Sequence, residues 1–193
     1  GVFGRANAGK STLVNALVGE KVSIVSKRPQ TTRRRILGIL TEGLSQVVFC
    51  DTPGLHAIKN RLDAFMAREI EATAEGLQGA LYLVDLTDPR TEEDEAHLRD
   101  LQSWLGRETP LFLVLTKMDN PKKADPAKIT EAYAGLASFA GVFRVSSERG
   151  TGLEELQKAV LGLLVPSPHA YEADLFTSQT EREIVEETIR EVI

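Results

Sequence analysis

The octapeptide Gly4-Arg5-Ala6-Asn7-Ala8-Gly9-Lys10-Ser11, continued by Thr12, has the spacing G-x-x-x-x-G-K-[ST]. The glycines let the backbone fold its N–H groups around a phosphate. Lys10 supplies a point charge for the terminal phosphates, and the Ser11 hydroxyl is a ligand for Mg²⁺. A glycine turn with a purely structural role does not need the lysine and the hydroxyl at these offsets as well.

Three further clusters gain meaning from that loop. Asp51-Thr52-Pro53-Gly54 closes an apolar run, and alone it is only a turn. Beside a phosphate loop, Asp51 would hold Mg²⁺ through its water shell. Gly54 would then give its N–H to the terminal phosphate, a contact that lasts only while that phosphate is present. In Thr116-Lys117-Met118-Asp119 a carboxylate at Asp119 can accept from both N1–H and the 2-amino group of guanine, and the Lys117 stem can lie along the base. Adenine lacks those donors, so this element selects GTP over ATP, by up to roughly 10⁴–10⁵ for a site built around such pairs. Ser146-Ser147-Glu148 is either an ordinary turn or a set of N–H groups for guanine O6.

Lys27 to Arg33 lies where a loop can fold over a nucleotide. Thr32 would give Mg²⁺ a second hydroxyl and sense the terminal phosphate, with Thr31 as the competing choice. Arg33-Arg34-Arg35 is either a solvated strand start or a basic contact for RNA or for transition-state charge. Lys10, Thr32 and Gly54 are thus the candidate catalytic groups, and Ser11, Thr32 and Asp51 the candidate Mg²⁺ ligands.

Such loops need a scaffold that gathers them at one edge. Val47–Cys50, Ala80–Val84, Leu111–Leu115 and Val142–Val145 read as buried strands. Leu62–Leu77, Glu92–Leu105, Pro126–Phe139 and Leu153–Leu164 read as helices. This alternation predicts an α/β fold of the P-loop type, with a mostly parallel sheet covered by helices on both faces. Arg35–Leu40 and Gln46–Cys50 are close enough for a hairpin, which adds one antiparallel edge strand. Gly1-Val2-Phe3 is a poor strand ahead of the loop, so further strand residues are expected upstream.

Val165-Pro166-Ser167-Pro168 stops the last helix of a domain spanning 1–166, and 167–177 reads as a linker. Ser178 with Glu181 fits a capping box, and Ile184, Val185, Thr188, Ile189, Val192 and Ile193 share one helical face. The helix over 178–193 either docks back on the first domain or opens a second one.

Composition sets outer bounds. With 193 residues, 42% of them hydrophobic, the chain can bury a core, and 23 Lys+Arg against 28 Asp+Glu give a net charge of -5. That balance disfavours a surface that coats nucleic acid throughout. No run nears the roughly eighteen apolar residues of a membrane span, and the N-terminus lacks a signal-peptide pattern, so a cytoplasmic protein is expected. The single cysteine, Cys50, reads as a small buried hydrophobe. Trp104, Leu101 and Leu105 read as core, and His97 and His169 suggest no metal. His56 is either a general base or an ordinary loop histidine.

The order of these elements resembles the translation-factor-related GTPases. Lys27 to Gly43 followed by Asp51-Thr52-Pro53-Gly54-Leu55-His56 is more narrowly similar to the Era family, over Gly1 to about Pro166. The double-domain GTPase Der ranks second, because its switch pattern differs. The resemblance implies a C-terminal KH domain, begun by the helix from Ser178, that binds ribosomal RNA during small-subunit assembly. It further implies a monomer with GTP or GDP and Mg²⁺ bound, and leaves peripheral association with the inner face of the cell membrane open. Its binding set is Gly4 to Thr12, Asp51 to Leu55, Thr116 to Asp119 and Ser146 to Glu148.

Some residues depart from the family pattern. Thr116 stands in place of asparagine and should remove an amide that braces the phosphate loop; Ala6 replaces proline and Ser147 alanine. Leu55 occupies the position where many GTPases have a water-orienting glutamine, so intrinsic hydrolysis should be slow. Asn7 could support K⁺, as in similar potassium-activated GTPases. A nucleotide-gated binding module with little turnover is the competing reading.

Overall fold

The computed structural model describes residues 1–25, 32, 35–55, 61–180, 182–185 and 189 of the 193-residue chain. Six strands, β1 (Val2–Gly4), β2 (Ile36–Glu42), β3 (Ser45–Asp51), β4 (Ala80–Asp85), β5 (Leu111–Thr116) and β6 (Gly141–Arg144), form one sheet. Its order is β2-β3-β1-β4-β5-β6. Only β2 and β3 pair antiparallel; β1 to β6 otherwise run parallel. Helices α1 (Lys10–Val18), α2 (Arg61–Ala74), α3 (Thr91–Trp104), α4 (Pro126–Ala134) and α5 (Leu153–Leu161) connect or follow the strands.

Strand alternation divides the core into two layers. Val2, Leu81, Leu83 and Val114 pack with Leu13, Val14, Leu17 and Leu156 of α1 and α5. Their neighbours Phe3, Tyr82, Val84 and Leu113 pack with Ile70, Leu98, Leu101 and Tyr133 of α2, α3 and α4. Side chains two apart share a face, so strands this apolar must be covered on both sides. Trp104 lies against the second layer. Cys50, expected to be buried, is only half-buried, because it alternates with the buried Phe49 and Asp51.

Several boundaries differ from the sequence reading. The poor strand at the N-terminus is realised as β1, three fully buried residues pairing with both β3 and β4; two partners compensate for its shortness. The hairpin is tighter than expected, with Glu42 opposite Ser45 and only Gly43 and Leu44 between the strands. Helices α4 and α5 stop at Gly135 and Gly162, short of Phe139 and Leu164.

The 167–177 segment lies against the hairpin. Gln46 accepts through Oε1 from the N–H groups of Ala170 (2.9 Å) and Tyr171 (3.0 Å) and donates to the Tyr171 carbonyl (3.0 Å). Farther on, Ile39 N–H donates to Phe176 O (2.9 Å), and Thr177 bridges Gly38. Thr180 exchanges hydrogen bonds with Glu183 (Thr180 N–H to Oε2, 2.8 Å; Glu183 N–H to Thr180 Oγ1, 3.3 Å), while Glu181, the partner expected for Ser178, lies outside the described residues. Ile184, Val185 and Ile189 are exposed.

Candidate functional site

Parallel strands of an α/β sheet present their carboxyl ends to one crevice. All four predicted clusters follow such ends: Gly4 closes β1, Asp51 closes β3, Thr116 closes β5 and Ser146 follows β6. Gly4 has φ 140° and a Cβ there would stand 2.5 Å from the Leu83 carbonyl, so a glycine is needed for the loop to leave the sheet. Asn7 also takes a positive φ, 62°. Helix α1 begins at Lys10 with no acidic residue in its first turn, which leaves its N-terminal dipole uncompensated and suited to an anion.

Within this loop Lys10 is buried, and its Nζ donates to the carbonyls of Gly4 (3.0 Å) and Arg5 (2.9 Å). Burial lowers its pKa from 10.5 to about 8, partly offset by the charge of Asp51. Ser11 Oγ donates to Asp51 Oδ2 at 2.7 Å and lies 3.2 Å from Thr32 Oγ1. Asp51 is fully buried, and burial raises its pKa against the opposing pull of Ser11, Lys10 and the nearby Ser23 hydroxyl, whose Oγ is itself buried without a hydrogen-bond partner. The second Asp51 oxygen, Oδ1, is buried without a hydrogen-bond partner. A buried carboxylate oxygen without a donor is costly. Two hydroxyls and a carboxylate, all hard oxygen donors beside an unsatisfied one, fit Mg²⁺ and its water shell.

The D-T-P-G turn closes directly on the phosphate loop. Leu55 N–H donates to Gly4 O at 3.0 Å, and Leu55 bridges Arg5. Thr52 Oγ1 donates to Val2 O (2.7 Å), so Thr52 and the buried Pro53 act as braces and spacers. Leu55, placed in the nucleotide-binding set by sequence, has its side chain in the core beside Phe3 and Ile70. Its N–H is taken by Gly4 O, and its side chain offers a ligand no polar group.

At the base-side cluster, Asp119 Oδ1 accepts from Ser146 Oγ at 2.5 Å. That bond, with the Asp119 backbone N–H, holds its pKa below the usual carboxylate value. Ser146 N–H is taken by Thr151 O (2.9 Å), which removes it from the N–H groups offered to a base; Ser147 is half-buried and Glu148 exposed. Met118 packs against the core with its N–H on Val145 O (3.2 Å), a spacer between Lys117 and Asp119. Lys117, at φ 58°, pairs through Nζ with Asp85.

One sequence expectation is corrected here. Thr116 keeps the brace that its identity seemed to remove: Oγ1 donates to Ala8 O at 2.8 Å, with Val84 O at 3.2 Å as the alternative acceptor. A hydroxyl has one hydrogen against the amide's two, and the loop carbonyl of Ala8 is the nearer of its two acceptors. The Arg5 side chain turns away to Asp94, Asp88 and Glu93, which leaves only its backbone to the phosphate loop. Ala8 is buried in the core, Ala6 borders Gly54, and Gly9 and Thr12 flank Lys10 and Ser11 at the start of α1.

Sequence reasoning missed Asp85 and Asp94. Asp85 carried a signal, a carboxylate at the carboxyl end of a buried strand. Thr31, Lys27 to Gln30, Arg33, Arg34 and His56 lie outside the described residues.

The family model described as a 50S ribosome-binding GTPase matches residues 1–117. Two GTPases Era are similar over the whole chain. That of Geobacter sp. (strain M21) is 39% identical, with 64% of its own length covered. That of Rippkaea orientalis is 40% identical, with 61% covered. The chain therefore spans a little under two thirds of these relatives. Among solved structures, Era in complex with MgGDPNP and nucleotides 1506-1542 of 16S ribosomal RNA aligns over 98% of this chain and 64% of its own, with TM-score 0.87 and 30% identity. A single-residue variant of Aquifex aeolicus Era bound to GDP.AlF4- aligns over 98% and 64%, with TM-score 0.86 and 27% identity.

Proposed function

The chain belongs to the 50S ribosome-binding GTPase family, and from that premise we propose that it binds GTP, hydrolyses it slowly and acts as a switch in small-ribosomal-subunit assembly. The observation that carries this reading is the buried, unpartnered Asp51 Oδ1 beside Ser11 and Thr32, on the same sheet edge as Asp119. Contact with ribosomal RNA would be made by a C-terminal KH domain that the helix from 178 introduces. The relative solved with 16S ribosomal RNA supports that assignment. A monomer in the cytoplasm completes the proposal; no described helix is long and apolar enough to cross a bilayer.

In this mechanism the loop from Gly4 to Thr12 surrounds the phosphates with N–H groups, and Lys10 exchanges its two carbonyl partners for phosphate oxygens. Ser11, Thr32 and, through water, Asp51 would hold Mg²⁺, which when bound would supply charge neutralisation at those oxygens. Gly54 and Thr32 read the terminal phosphate, and Asp119 holds the base. Positioning by these groups accounts for catalysis, since Leu55 is buried and cannot orient water. That burial also favours a second reading, a nucleotide-gated assembly module with negligible turnover.

Multiple-turnover phosphate release from GTP, with Mg²⁺ and with or without small ribosomal subunits, separates the two. Turnover that subunits accelerate supports the switch, and a single burst equal to the protein concentration supports the module. Matched potassium and sodium buffers test Asn7 in the same assay: potassium should raise the rate, and equal rates would remove the Asn7 proposal.

The Lys10 environment gives the affinity a pH dependence. Its pKa in the free protein is about 8, and phosphate raises it, so binding takes up a proton above that value. GTP affinity should be flat below about pH 7 and weaken about tenfold between pH 7 and 9. Calorimetry in buffers of different ionisation enthalpy checks the proton uptake; equal heats at pH 9 would contradict it.

A further inference from the structure

The Arg5 side chain, unused by the chemistry above, leads to a buried polar network on the opposite side of the loop. Its Nε lies 3.2 Å from Asp94 Oδ1, and Asp94 is 1% exposed. The same carboxylate accepts from Tyr82 through Oδ1 (2.8 Å) and from Tyr133 through Oδ2. Both tyrosines are fully buried. Burial and the adjacent carboxylate push both phenols up, so they remain hydrogen-bond donors. His97 Nδ1 stands 3.8 Å away, outside hydrogen-bonding range. Asp88 and Glu93 also approach Arg5, at 3.7 and 3.9 Å, but both are exposed, where a pair contributes little.

Arg5 is also the residue whose carbonyl accepts from Lys10 Nζ (2.9 Å) and from Ala8 N–H (3.3 Å), and whose backbone forms a bridge with Leu55. An arginine fixed at its guanidinium by a buried carboxylate has little freedom at its backbone. We propose that Asp94, held by Tyr82 and Tyr133, is a positioning residue that clamps the phosphate loop through Arg5 and so sets how long a guanine nucleotide stays bound. This deepens the GTP-binding reading above and rests on it. The clamp touches no phosphate and discriminates no base. It acts on the part of the loop that GDP and GTP both need, so it should change their dissociation equally.

The test is the dissociation rate of fluorescently labelled GDP from the full chain with Mg²⁺, measured well below each variant's unfolding midpoint. Asp94→Asn should accelerate release about ten- to a hundredfold, the scale of a loop misplaced by about an ångström. Leu98→Ala, a cavity one helical turn away on α3, should lower the midpoint while leaving release unchanged. Arg5→Met should resemble Asp94→Asn, and the double variant should release no faster than either, because one coupled element is lost once. Arg5→Lys, which retains the charge, should be intermediate. Release from Asp94→Asn at the wild-type rate, or additive effects in the double variant, overturns the proposal. If Asp94→Asn does not fold, Tyr133→Phe decides: faster release supports the clamp, and unchanged release overturns it. A wild-type protein that binds no GDP overturns this proposal together with the GTP-binding reading, whereas tight wild-type binding with indifferent variants overturns the clamp alone.

Discussion

Replacing Asp119 by asparagine should weaken GTP binding by about 10⁴-fold and transfer the preference to xanthosine triphosphate. In the structure Asp119 is half-buried, and one oxygen already accepts from Ser146 at 2.5 Å. Its lowered pKa means that it is ionised and acceptor-only throughout the neutral range. Guanine presents two donors, N1–H and the 2-amino group, to two such oxygens. Asparagine turns one oxygen into an N–H donor that faces a donor, and a buried mismatch of that kind carries the desolvation penalty in full. Xanthine has an acceptor at C2 and restores the pairing. Competition calorimetry with the two triphosphates, keeping Mg²⁺ constant, measures the exchange. GTP affinity left intact would mean that the base is held elsewhere.

The gathering of these clusters was legible because it depends on periodicity. Runs such as Leu81 to Val84 and Leu113 to Val114 are buried on both faces, which a parallel sheet with two helical layers requires, and the motif residues then fall at strand ends. Element ends were less legible, since Gly135 and Gly162 stop α4 and α5 while the apolar pattern runs on. The 170–177 segment has no period at all; it is held by backbone groups and by Gln46, which no side-chain pattern announces.

Within the site, the motif supplied the right neighbourhood but not every role. A contiguous stretch such as Thr116 to Asp119 alternates between ligand-facing and core-facing side chains, so Met118 and Leu55 belong to the packing. Asp94 was hidden for a different reason. Glu92-Glu93-Asp94-Glu95 reads as a solvated acidic turn. Asp94 nevertheless stands four and seven residues before Leu98 and Leu101, on the buried stripe of α3, and that spacing was the available signal. Thr116 shows the reverse case: the expected loss of a brace follows from comparing side-chain types, whereas the observed Ala8 contact follows from where β5 carries the hydroxyl.

Gly54→Ala should lower GTP turnover by about 100-fold while changing GDP affinity far less. A Cβ at this position would stand 2.7 Å from both Cα and N of Ala6 and 3.0 Å from its Cβ. Two of these three contacts are with backbone, so no side-chain rotation relieves them. The turn must move off the phosphate loop, which breaks the Leu55 N–H to Gly4 O bond at 3.0 Å and carries the Gly54 N–H away from the terminal phosphate. GDP lacks that phosphate and depends on the loop itself, so its binding is the internal control. Ala6→Gly in the same chain removes the 3.0 Å contact and leaves the two at 2.7 Å, so it should not restore turnover. Single-turnover hydrolysis of GTP, set beside GDP titration, distinguishes a displaced turn from a damaged loop. Turnover at the wild-type rate in Gly54→Ala would show that the D-T-P-G turn does not need this close approach. An equal loss of GDP binding would show that the phosphate loop, rather than the turn, had yielded.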